Sequence, residues 1–108
     1  MTLKQLNTIL KKTGLPVAYD WFDIDDGPPS LPYIAYIETA RTPIYADNEI
    51  YTEAKQIDIE LYTAKKSPEH EKLLEDILTE NEIFYTFNEV GLIESENIYE
   101  VIYTIEII

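Results

Sequence analysis

The segment Gln56-Ile57-Asp58-Ile59-Glu60-Leu61-Tyr62, running through Lys65-Lys66-Ser67-Pro68-Glu69 into Leu73-Leu74, decides the fold class. In its first half Ile57, Ile59 and Leu61 alternate with Asp58 and Glu60, the two-residue period of a strand with one buried and one wet face. In its second half Ser67 is a capping residue, Pro68 suits the first helical position, and Glu69 and Glu71 complement the positive end of a helix dipole. Leu73, Leu74, Ile77 and Leu78 then form an apolar stripe, which predicts a helix over about residues 68–80.

Upstream, Thr2 and Gln5 have capping-box spacing, and Leu3, Leu6, Ile9 and Leu10 recur at helical intervals before Gly14 and Leu15-Pro16 stop the helix, giving a prediction over 3–13. Val17 to Phe22 reads as a strand that runs into the acidic, proline-rich loop Asp23 to Ser30. Tyr33 to Thr39 reads as another strand, and Arg41 to Asn48 breaks the pattern with a proline and an Asp47-Asn48 turn signal.

Downstream, Glu82 to Phe87 is strand-like and Asn88-Glu89-Val90-Gly91 resembles a turn. Ile98 to Ile108 is a long closing strand with Tyr99, Val101, Tyr103, Ile105 and Ile107 on one face. At ~3.3 Å per residue it would reach about 36 Å, so it must curl or protrude from a globule of this size. Helices set apart from mostly adjacent strands give an α+β fold over residues 1–108: one mostly antiparallel sheet of about five to six strands, packed on one face by two helices.

Bulk properties narrow the function. A chain of 108 residues is the size of one ordinary domain. It has no cysteine, so disulfides, thiolate nucleophiles and cysteine-bearing zinc sites are out, and a reducing compartment such as the cytoplasm suits it. No export signal is visible, and no apolar run approaches the ~20 residues of a membrane helix. With 21 acidic and 8 basic side chains, a net charge of −13 argues against direct nucleic-acid binding, which needs cations to displace counterions from phosphates. The charge is also lopsided. Residues 1–19 hold Lys4, Lys11 and Lys12 with no acid, while residues 73–108 hold acids and no base.

Chemistry-bearing motifs are absent. Asp23, Asp25 and Asp26 make only a fragment of a calcium loop, because two prolines intervene and the distant glutamate is out of register. His70 is the single histidine and reads as a surface residue at a helix start. Ser30, Ser67 and Ser95 lie in no Gly-x-Ser-x-Gly setting, and three glycines make no phosphate-cradling loop. The chain therefore reads as a non-enzyme with no cofactor and no metal. Tyrosine is favoured where a surface is apolar on one side and wet on the other, which marks Tyr45, Tyr51 and Tyr62 as candidates to face a partner.

The element order and local wording resemble the tail-completion proteins of long-tailed phages, the tail-terminator or head-to-tail joining group. Pro32-Tyr33-Ile34, Ala46-Asp47-Asn48, Gln56 to Thr63, Lys65 to Glu69 and Leu73-Leu74 carry the resemblance. It implies a virion structural protein of the neck, made in the host cytoplasm. It also implies a ring, usually of six copies, that caps the tail tube, docks the head-closure protein and lets DNA pass through its lumen. No catalytic residue is implied. The family's contact segments correspond to Asp23–Leu31 and Arg41–Glu53, so Asp23, Asp25, Asp26, Tyr45, Asp47, Tyr51 and Tyr62 are the contact candidates. Two other classes compete. One is an acidic DNA mimic that blocks a nucleic-acid-binding protein, its array beginning at Glu75, Asp76, Glu80 and Glu82; the other is a carboxylate-dependent metallohydrolase.

Overall fold

A computed structural model describes residues 1–20, 27 and 29–108, except the side chains of Ile50 and Tyr51. The elements run α1 (Leu3–Lys11), β1 (Val17–Tyr19), β2 (Tyr33–Ala46), β3 (Glu49–Thr63), α2 (Pro68–Glu80), β4 (Tyr85–Ile93) and β5 (Ile98–Ile107). The chain is α+β: five strands form one sheet in the order β1-β2-β3-β5-β4, the lower of the two strand numbers expected. Only β1 against β2 is parallel. The other three pairs are antiparallel.

The alternation around residue 57 sets the register. Ile34 lies opposite Leu61, which lies opposite Val101; in the next row Tyr36, Ile59 and Tyr103 line up. Ile57 and Ile105 form a third row. These residues share one face and cluster with Leu6 and Leu10 of α1 and Leu74 and Leu78 of α2, so both helices cover that face. Both helices begin where the sequence places them. Gln5 N donates to Thr2 Oγ1 at 3.1 Å and Thr2 N to Gln5 Oε1 at 2.8 Å, closing the capping box. Ser67 caps α2, with Pro68 in its first turn. α1 ends two residues before the expected 13, where Thr13 is buried and its hydroxyl donates to Leu10 O at 2.8 Å.

Three expectations need correction. β1 stops at Tyr19, and Asp20 takes a left-handed φ of 68°; the rest of the expected 17–22 strand lies outside the described residues. Asn88–Gly91 is strand rather than turn. A register shift between Glu89 and Gly91 makes a β-bulge there, and the φ of 96° at Gly91 is the left-handed conformation that looked like a turn in the sequence. The chain reverses later, at Glu94–Asn97, where Asn97 has a φ of 55°.

The largest departure is the length of β2 and β3. The segment Arg41–Asn48 continues β2 to Ala46, and β3 already begins at Glu49. The molecule is 50 × 31 × 23 Å, and its elongation belongs to this hairpin rather than to the closing strand. β5 is paired on both sides for most of its length, with β3 over Lys55–Thr63 and with β4.

Candidate assembly surface

The β2–β3 hairpin is built in two halves. From Lys55 to Tyr62, β3 sits between β2 and β5; from Glu49 to Ala54 it pairs, among the described residues, with β2 alone. This outer half is a two-stranded arm that leaves the sheet. Its turn is Asp47-Asn48, with φ of 52° and 64°, the two consecutive left-handed residues that a two-residue hairpin matching strand twist requires. Asp and Asn tolerate that conformation better than other non-glycine residues. The arm is solvated throughout β2: residues 39–46 are exposed, with Tyr45 at 65% and Ile44 at 36% of full exposure. Pro43 has no amide proton to donate, which a strand with an open margin tolerates. At the arm's root Arg41 reaches Glu38 at 2.8 Å and Glu53 at 3.4 Å, surface pairs that steady the ribbon more than they stabilise the fold.

The contact candidates from the sequence do not converge. Tyr45 and Asp47 sit at the arm's tip. Tyr62 lies at the other end of β3, on the sheet face away from the helices: between Ile50, opposite Tyr45, and Tyr62 the strand advances ~40 Å at about 3.3 Å per residue. Tyr51 is in the arm's β3 backbone, but its side chain lies outside the described residues, as do Asp23, Asp25 and Asp26 altogether.

Tyr62 belongs to a different cluster. Its ring packs on Tyr33 with centroids 5.1 Å apart, and its hydroxyl donates to Glu60 Oε2 at 2.7 Å. Burial drives the Tyr62 phenol well above its ordinary pKa, reinforced by the hydrogen bond to Glu60. Glu60 is pushed above the usual carboxylate range, first by burial; its hydrogen bond from Tyr62 opposes this, and the charges of Glu100, Asp58 and Asp20 add to it. Glu100, in the row of Tyr33 and Tyr62, is itself buried. The cluster stores negative charge at a cost and presents no nucleophile.

Two further polar knots have no clear sequence signal. Lys66 Nζ lies 2.9 Å from Glu71 Oε1, also pairs with Glu89, and sits 5.5 Å from the Phe87 ring centroid. On the helix-covered side Glu75 accepts from Tyr103 at 2.6 Å and from Tyr85 at 3.3 Å. Among the described residues the nearest approach to a nucleophile–base pair is Ser67 Oγ, 2.7 Å from His70 Nδ1, but that oxygen also accepts from His70 N as the helix cap. Among the described residues no three His, Cys, Asp or Glu side chains group as metal ligands.

Compared with known proteins, the chain matches no family model and no curated sequence.

Proposed function

We propose that this chain is a structural protein of the phage head–tail connector region, of the tail-terminator or tail-completion type. It acts without catalysis, by assembling as a ring, of six copies in the virion, between the tail tube protein and the head-closure protein. The observation that carries the reading is the β2–β3 arm. A ribbon extending past its own core leaves its β2 strand exposed, with Ile44 and Tyr45 open to solvent. Such an arm gains stability when a neighbouring subunit or tube covers it. Lopsided charge suits an assembly with two unlike faces, and an acidic lumen would let DNA slide without adhering.

The DNA-mimic alternative draws less support from the acids on α2. Asp76 is neutralised by Lys72 at 2.9 Å, and Glu75 is turned to Tyr103 and Tyr85, so the array is interrupted at its start.

Light scattering across protein concentration and salt, followed by electron microscopy of any large species and of purified tail tubes mixed with the protein, tests the reading. Rings, alone or on tube ends, are expected, and shortening the arm to a tight turn after Thr39 should abolish them while the sheet still folds. A chain that stays monomeric and leaves tube ends bare overturns it.

A further inference from the structure

The sheet has a second free margin, far from the arm in strand order. β4 is the last strand, and among the described residues no strand pairs its outer side. Natural edge strands are commonly blunted by lysine or proline. The margin of β2 beyond β1, unpaired among the described residues, carries Pro43 and the charged Arg41, whereas β4, Tyr-Thr-Phe-Asn-Glu-Val-Gly-Leu-Ile, carries neither proline nor a basic residue. Its single charge, Glu89, is already matched by Lys66. Large apolar side chains stand open along it: Phe84 at 92% exposure just before the strand, then Leu92 at 53%, Val90 at 47% and Phe87 at 44%. A notch of about 180 Å³ indents the strand's start, lined by Thr79, Glu82, Ile83, Phe84 and Tyr85.

Charge identifies what fits. The chain has no base after Lys72, and among the described residues the ion pairs formed leave Glu82, at the notch, and Glu94 and Glu96, at the far end of β4, without a cation. A second copy laid antiparallel on the same edge would bring Glu82 of one copy toward Glu94 and Glu96 of the other, and like charges across a seam are penalised.

We propose that the outer edge of β4 is a strand-addition site for an extended segment of another protein in which apolar residues alternate with lysine or arginine. Main-chain hydrogen bonds to the open edge supply affinity. Apolar side chains cover Phe87 and Leu92, and a basic side chain at either end meets Glu82 or Glu94 and Glu96. The surface is independent of the arm, so its failure leaves the assembly reading standing, and the reverse.

The probe is a synthetic peptide of about nine residues, the length of β4, alternating lysine and valine, titrated into the isotope-labelled full chain and followed by NMR. Amide shifts confined to residues 82–96, with cross-strand contacts to β4, are expected. The double variant E94K/E96K, both positions being in an exposed turn, should weaken binding on the order of tenfold. Methylating alternate peptide amides, so that the strand cannot donate, should abolish binding. No binding, shifts spread over the acidic surface, or affinity that survives amide methylation overturns the proposal. So does a concentration-dependent shift of the β4 amides without peptide, which would assign the edge to a second copy.

Discussion

The hydroxyl of Tyr103 donates a 2.6 Å hydrogen bond to Oε2 of Glu75, tying the closing strand to the helix lying over it. Tyr103 is fully buried, and its ring is held between Tyr85 and Phe87 with centroids at 5.2 and 5.4 Å, both edge-on. Tyr103→Phe keeps the packing and removes the donor. A hydrogen bond to a charged group contributes about 1.5–3 kcal/mol, and Tyr85 still reaches Glu75, so a loss near the lower end is expected in urea unfolding.

The same phenol reports on alkaline pH. Burial, then the hydrogen bond to Glu75, raises the folded-state pKa of Tyr103, and burial does the same for Tyr62. A raised folded pKa means stability is fully present below the unfolded tyrosine value of about 10 and falls as pH climbs past it, because only the unfolded chain releases the proton. Ultraviolet titration should show Tyr62 and Tyr103 ionising only as the fold is lost.

Glu60 follows the same rule in the carboxylate range. Its pKa is raised, mainly by burial, so the stability it allows is fullest below the unfolded carboxylate value and declines as pH rises through the folded one. Glu60→Gln keeps an acceptor for Tyr62 and removes the charge. The variant should melt above the parent at pH 7 and converge with it near pH 4; a variant that melts lower at pH 7 would show that the carboxylate is the stabilising form.

Asn48 holds the second left-handed position of the arm's turn, with a φ of 64°. Asn48→Val puts a β-branched side chain there at a cost of about 1–2 kcal/mol. Since the arm contributes no residue beyond Ala40 to the core cluster before Ile57, hydrogen exchange should accelerate over residues 40–54 and stay slow at Ile59 and Tyr103.

Leu78 is fully buried in α2 against the sheet. Leu78→Ala should cost about 2–5 kcal/mol, according to how far the helix settles into the space, whereas Leu73→Ala, at 38% exposure, should cost distinctly less.

What the sequence made legible was what burial writes into it. The alternation Ile57-Asp58-Ile59-Glu60-Leu61 and the stripe Leu74–Leu78 are constrained by the core, so β3's inner half and α2 could be placed from periodicity. The arm's β2 strand is exposed on both faces, hence Arg41–Ala46 has no period to read; cross-strand pairing made it a strand, and only Asp47-Asn48 announced its turn. At Gly91 the residue type signalled a left-handed backbone correctly, but a bulge uses that conformation as a turn does. Among the contact candidates, Tyr45 and Asp47 reached the tip, while Tyr62 turned toward Glu60 because the register puts it beside Tyr33. The β4 edge leaves no mark in the sequence, because strand order is set by tertiary pairing and not by spacing.

The arm is rooted in the strand at the middle of the sheet, and this sets how it bears mechanical load. A pull on Asp47 runs lengthwise down β3 into Lys55–Tyr62, where β2 holds one side and β5 the other. Hydrogen bonds on both flanks are then strained together, in shear, rather than peeled one after another. Tension arriving at the tip is spread over the whole sheet, and the subunit behaves as a handle fixed to its own core.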